Sequence, residues 1–136
     1  MNLFARRGAL CAAHLAVFLA APAVAAAQSN LAYVCASAGD RVAVLDATSG
    51  AASASIAVGD GPSRAALSRD GARLYVANTL ADTLSVVDTA THAVLASIAV
   101  GDAPGELAVS PDGARVYVMV ANGVVDVVDT AAGAVV

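Results

Sequence analysis

Moving 42 residues forward from Tyr75 reaches Tyr117, moving 42 back reaches Tyr33, and the chain has no other tyrosine. The same step joins Asp70 to Asp112, Gly71 to Gly113, Pro62 to Pro104, Ser68 to Ser110 and Asp46 to Asp88. The heptapeptide ASIAVGD at 54–60 returns unchanged at 96–102. A fixed period in the low forties, with four strand-like segments per unit, constrains the fold more than any local propensity. It predicts an all-β propeller of four-stranded antiparallel blades. The chain holds about two and a half such units, whereas closed propellers have roughly four to eight blades. The arc is therefore incomplete, and the chain reads as a fragment of a longer propeller.

The middle unit sets the template. Residues 65–68 form a short apolar strand, and Ser68-Arg69-Asp70-Gly71 a tight turn in which Asp and Gly tolerate positive φ. Strands follow at 74–78, 84–87 and 94–100, before Gly101-Asp102-Ala103-Pro104 breaks the sheet. By the same pattern, 31–36, 42–46 and 53–58 are the last three strands of an earlier blade that lacks its first. Residues 107–110, 116–120 and 124–128 are the first three strands of a later one. There Asp88 maps to Asp129, one residue short of the period, and the loss falls in the turn at Ala121-Asn122-Gly123. Runs such as 93–100 are apolar on both strand faces, so both faces must be covered, as stacked blades achieve. This accounts for a hydrophobic fraction of 59%, against about 45–50% in ordinary domains.

The N-terminus reads differently. Arg6 and Arg7 precede an apolar stretch around 15–21, Pro22 and the small residues Ala25-Ala26-Ala27, the pattern of a secretory signal peptide cleaved after Ala27. Residues 1–27 are thus a leader and 28–136 the partial propeller, placed in the periplasm or outside the cell. The mature part carries five arginines against eleven acids, a net charge of −6. An acidic surface argues against nucleic acid and anionic lipid as partners, and no membrane association is expected once the leader is removed. Cys35 is then the one remaining cysteine, without an internal disulfide partner, and reads as a small buried residue.

The segments LYVANTLADTLSVVDTAT, SPDGARVYV and SIAVGDAP resemble the repeat of the YVTN family of extracytoplasmic β-propellers. Tyr75-Val76-Ala77-Asn78 is similar to the motif that names it. The first repeat departs from this motif at Cys35 and Ala36, and the third at Met119 and Val120. The resemblance implies a propeller over 31–136. It also implies company among surface-layer and adhesion components, accessory proteins of quinoprotein systems, and lactonase-type and haem-binding propellers.

Chemistry-bearing residues are few. His92 falls in a turn and reads as a solvated loop residue. There is no CxxCH, no phosphate loop and no serine with a base to activate it, so no catalytic residue, cofactor or metal ligand is assigned. Asp46, Asp88 and Asp129 recur at one position, each before a turn where an aspartate bonds nearby backbone N–H groups. Asp126 stands where other repeats have Ala43 and Ser85, and is expected on an open blade surface. Asp60 and Asp102 in the inter-blade loops, with Asp40 and Asp82 in the loops beside them, make one acidic end that suits a cationic ligand or basic partner. Arg64 and Glu106 occupy one repeat position where the resembling family has Gly, and are expected to meet as an inter-blade ion pair at the channel mouth. Arg64, Glu106, Asp60 and Asp102 are accordingly the candidate ligand residues.

The resulting expectation is an exported binding or scaffold module, without catalysis of its own, whose partner is a protein or small molecule. Its open arc is expected to self-associate, about three copies approximating one ring. Two rival readings are a lactonase-like or redox (quinoprotein- or haem-associated) propeller enzyme with its site in further blades, and a structural component of a cell-surface layer.

Overall fold

The computed structural model describes residues 17–19 and 30–136, which form three four-stranded sheets. The first contains β1 (Val17–Leu19), β2 (Leu31–Ala36), β3 (Arg41–Asp46) and β4 (Ala52–Ala57). The second contains β5 (Pro62–Leu67), β6 (Arg73–Asn78), β7 (Thr83–Asp88) and β8 (Val94–Ala99). The third contains β9 (Leu107–Val109), β10 (Arg115–Met119), β11 (Val125–Asp129) and the two-residue β12 (Ala134–Val135). Each is an antiparallel meander in chain order, as propeller blades are.

One expectation is corrected here. The first blade does have a first strand, because Val17–Leu19 pairs with β2, Phe18 opposite Tyr33 and Leu19 opposite Ala32. In the second blade Ala66 and Leu67 stand opposite Tyr75 and Leu74. Leu19 therefore takes the place of Leu67, six residues out of step with the 42-residue period, which is why the repeat does not reveal it. Apart from this strand, the leader and its cleavage site lie outside the described residues.

Registers repeat from blade to blade. Tyr33 pairs with Val44, Tyr75 with Val86 and Tyr117 with Val127. Ala77 pairs with Leu84 and Met119 with Val125, so the connecting loop is one residue shorter in the third blade, at Ala121–Gly123. The first-turn chemistry repeats as well. Gly71 and Gly113 each have φ 72°, and each N–H donates to the carbonyl of Ser68 or Ser110, at 2.9 and 2.8 Å. A side chain is strained at such a φ, which explains the Asp-Gly pair.

The core lies between blades. Tyr33, Cys35, Val42 and Val44 of the first blade pack with Leu74, Val76 and Val87 of the second. Tyr75 and Leu84 of the second pack with Val116, Val118 and Val128 of the third. Each side chain so covered contributes about 1.5–3 kcal/mol relative to exposure. The forward face of one blade is thus buried by the back face of the next. Tyr33 is 1% exposed and Tyr75 3%, but Tyr117, on the last blade, is 40% exposed.

Candidate functional site

The end of the arc at which blades are joined is held by loop-to-loop hydrogen bonds. Asp40 and Asp82 sit at φ 50° and 54°, where their carboxylates reach the following inter-blade loop. Asp40 Oδ1 accepts from Gly61 N–H at 2.9 Å and Asp82 Oδ1 from Ala103 N–H at 2.8 Å. These two members of the predicted acidic end are therefore structural ties. The inter-blade loops answer with backbone, since Leu80 N–H donates to the Asp60 carbonyl at 3.2 Å and Ala121 N–H to the Asp102 carbonyl at 2.7 Å.

Arg64 and Glu106 sit just inside these loops. Register slips between Pro62 and Arg64 against β6, a bulge made natural by a proline without an N–H. In the third blade Gly105 and Glu106 both oppose Met119: Gly105 N–H donates to Met119 O at 2.8 Å, and Met119 N–H to Glu106 O at 2.9 Å. The two bulges aim the side chains at one another. Arg64 Nε donates to Glu106 Oε1 at 3.0 Å, with 30% and 67% of the side chains exposed, and Arg64 Nη1 donates to the Ser63 carbonyl at 3.1 Å. The inter-blade ion pair expected from the repeat spacing is present.

Beside it lies a hollow of about 480 Å³ at the loop end of the blades, lined by Ser37 of the first blade, by Ser63, Arg64 and Thr79 of the second and by Pro104 and Glu106 at the start of the third, with Leu80 and Met119 supplying apolar wall. The Thr79 hydroxyl lies 2.6 Å from Ser63 Oγ and donates to the Pro104 carbonyl at 2.8 Å. Cation, carboxylate and hydroxyls thus converge on one open space. Asp60 and Asp102 are exposed on the neighbouring loops and do not line it. Of the four candidate residues, the structure brings two together. Ser63 and Thr79 escaped the sequence reading, although Thr79 directly follows the YVAN motif.

The remaining candidates resolve into structure. Asp46 Oδ1 accepts from Thr48 and Ser49 N–H at 2.7 and 3.0 Å, Asp88 Oδ1 from Ala90 and Thr91 at 2.8 and 3.1 Å, and Asp129 Oδ1 from Ala131 and Ala132 at 2.9 and 2.8 Å. These bonds hold the Asp46 and Asp88 carboxyls below the usual aspartate range. Cys35 is buried, and desolvation pushes its thiol up to about 12 despite the Arg64 charge nearby. It is inert as a nucleophile, because only a thiolate attacks.

Two readings are corrected. His92 is half-buried against Tyr33, with ring centroids 6.5 Å apart and planes at 79°. Asp126 faces back toward the second blade, where its Oδ2 accepts from Gly101 N–H at 2.7 Å. At the opposite end, a second hollow of about 690 Å³ lies between the turns of the second and third blades, lined by Arg69, Arg73, Tyr75, Pro111 and Asp112 among others. Arg73 there is paired with Asp88 at 3.1 Å.

The sequence profile of the YNCE-like β-propeller family matches residues 3–132. The chain belongs to this family. Among solved structures, the YNCE-like chain is similar to Kuenenia stuttgartiensis hydrazine synthase, at 30% identity and TM-score 0.75, over 95% of this chain and 38% of that one. It is similar to the dihydro-heme d1 dehydrogenase NirN in complex with DHE, at 27% identity and TM-score 0.66, over 79% of this chain and 24% of that one. A functionally unknown protein from Desulfotomaculum acetoxidans DSM 771, at 20% identity and TM-score 0.73 over 93% and 41% of the two chains, shares the fold. No curated protein matches the sequence. The YNCE-like chain spans about two fifths of the length of the first two solved relatives.

Proposed function

We propose that this chain is an exported propeller-type binding module, without catalysis of its own, that holds a small polar ligand at the blade-joining end of the arc. The observation that carries the reading is the Arg64–Glu106 pair on the rim of the 480 Å³ hollow. A solvated ion pair contributes only about 0–1 kcal/mol to folding, so stability alone gives little reason to place two charges there. Guanidinium, carboxylate and the Ser63 and Thr79 hydroxyls offer both donors and acceptors, and Leu80 and Met119 an apolar wall. A few placed polar groups on an apolar lining are what small-molecule sites share. Export is supported by the leader-like pattern of 1–27, and cleavage after Ala27 would remove β1, which pairs with β2 in the uncleaved chain.

The test is a titration of the isotope-labelled chain with panels of small carboxylates, amines and sugars, followed by backbone NMR. One class should shift the amides of Ser63, Arg64, Thr79 and Glu106, and the shifts should vanish in Arg64→Ala. Shifts confined to other surfaces, or unchanged in that variant, would refute the site.

A second reading rests on the relatives, two of which are named as enzymes, a hydrazine synthase and a dihydro-heme d1 dehydrogenase. In it, the chain is the propeller part of a redox assembly whose reacting groups lie in other blades or subunits. Recovery of the exported protein with a haem-bearing partner would favour this reading over the free binding module.

A further inference from the structure

We propose that the 690 Å³ hollow at the turn end, between the second and third blades, binds a free aromatic α-amino acid. The ring of the ligand takes beside Tyr75 the place that the His92 imidazole takes beside Tyr33.

The two inter-blade interfaces are built alike up to this point. Tyr33 and Tyr75 are one repeat apart, and His92 corresponds to Gly133, because Val94 stands opposite Val87 as Val135 stands opposite Val128. The backbone is the same at both positions: His92 has φ 59° and Gly133 φ 64°. Each N–H donates to the carbonyl of the preceding aspartate, Asp88 at 2.8 Å or Asp129 at 2.9 Å. Only the side chain differs. At the first interface an imidazole meets the tyrosine edge-on, with centroids 6.5 Å apart. At the second, a Cβ on Gly133 would meet nothing within 4 Å, and the hollow opens onto Tyr75. An opening left by an absent ring takes up a free ring, and about 150 Å³ suffices for benzene. This hollow therefore has room for a ring and for charged groups attached to it.

Tyr75 gives the site a fixed wall. It is 3% exposed yet lines the hollow, and its hydroxyl has no hydrogen-bond partner among the described residues, an arrangement that buried polar groups rarely keep unless something completes it. Burial raises the phenol above its ordinary 10.0, with Arg73 pulling it down and Asp70 pushing it up, so at neutral pH it is a donor within the field of both.

The lining also selects the charge of the ligand. Two cations, Arg69 and Arg73, face two carboxylates, Asp70 and Asp112, so a simple anion or cation gains at one side what it loses at the other. A ligand carrying both signs suits all four. Arg73 is already paired with Asp88 at 3.1 Å, whereas among the described residues Arg69 has no carboxylate in salt-bridge range and is the group for the ligand carboxylate. Asp112 Oδ1 accepts from the Ser110 hydroxyl at 2.6 Å and from Ala114 N–H at 2.9 Å. Those bonds hold the carboxylate in place and do not use Oδ2, which is the acceptor for the ligand ammonium.

L-Histidine is the first probe, because the twin of the site is filled by an imidazole. Titrated into the 136-residue chain and followed by calorimetry and backbone NMR, it should bind once per chain and shift the amides of Arg69, Asp70, Gly113 and Thr130. Gly133→His, which supplies the imidazole from the chain itself, should abolish binding with unchanged circular dichroism. Arg69→Ala, at an exposed position, should weaken L-histidine about tenfold, as loss of a hydrogen bond to a charged group does, and carries the test should Gly133→His misfold. L-Alanine binding as tightly as L-histidine would overturn the ring, and N-acetyl-histidinamide binding as tightly would overturn the zwitterion. Absence of L-histidine binding, or binding undiminished in either folded variant, would overturn the site.

Discussion

The imidazole of His92, on the β7–β8 turn of the second blade, meets the ring of Tyr33 in the first blade edge-on. His92 reaches it from a backbone φ of 59°, a conformation that disfavours most side chains. Edge-to-face aromatic pairs contribute about 0.5–1.5 kcal/mol beyond their burial. A double-mutant cycle with Tyr33→Leu and His92→Ala, read by urea denaturation, should give a coupling in that range. His92→Gly should cost less than His92→Ala, since glycine relieves the positive φ while losing the same ring. Independent effects of the two truncations would remove the contact from the energetics.

Asp126 makes a second inter-blade tie. Its Oδ2 accepts from Gly101 N–H at 2.7 Å, so Asp126→Ala leaves a part-buried donor without a partner. The expected loss is about 1–3 kcal/mol. Asp126→Asn keeps an acceptor and should retain most of the stability. Equal losses in the two variants would mean that packing, and not the hydrogen bond, sets the effect.

The contrast between Asp126 and Asp88 shows what the sequence makes legible. Asp88 bonds to N–H groups two and three residues ahead, a local relation that Val-Asp-Thr announces in the second and third units and Leu45-Asp46-Ala47 in the first. Asp126 bonds 25 residues away and His92 packs 59 residues from its partner, across blade boundaries that a repeat unit does not display. Period and strand pattern therefore yield the blades, the turns and the shortened loop at Ala121–Gly123. They also place Arg64 and Glu106 on adjacent blades at one radius, which is why that inter-blade contact alone is readable. Asp40 and Asp82 look like a charged rim in the sequence, because nothing local shows that their carboxylates turn inward to Gly61 and Ala103. The strand β1 escapes for a related reason, its register being shifted out of the period.

Acid should weaken the fold. Asp46 and Asp88 are made more acidic chiefly by backbone N–H donors, and Asp70 and Asp112 chiefly by the hydroxyls of Ser68 and Ser110. All four folded values lie below the ordinary 3.8. Their stabilisation is therefore complete above that value and is lost as pH falls through the folded values. Urea midpoints should be flat at neutral pH and fall below about pH 4. In Asp88→Asn the fall should be shallower. A wild-type midpoint unchanged on strong acidification would contradict the assignment.

Three glycines at the blade junctions should respond differently to alanine, and none of them has a positive φ. A Cβ on Gly59 would lie 2.7 Å from Asn78 Nδ2, 2.9 Å from its Cγ and 3.0 Å from Thr83 Oγ1. That amide cannot retreat, because Nδ2 donates to Thr83 Oγ1 at 3.0 Å and to Ser85 Oγ at 2.8 Å inside a buried site. On Gly101 the Cβ would meet Val120 Cγ2 at 3.0 Å and Asp126 Oδ2 at 3.3 Å, a looser fit whose carboxylate is tied to Gly101 itself. At Gly105 the nearest atom is Met119 O at 3.9 Å, an ordinary contact. Gly59→Ala should therefore be the most damaging, within the about 1–3 kcal/mol typical of overpacking, and Gly101→Ala should fall below it. Gly105→Ala should be neutral or stabilise by about 0.4–1 kcal/mol, since alanine restricts the unfolded chain without meeting an obstacle in the folded one. Thermal melts of the three variants give the order directly. If Gly105→Ala proves the most destabilising, the close approach of each inter-blade loop to the following blade is not what these glycines serve.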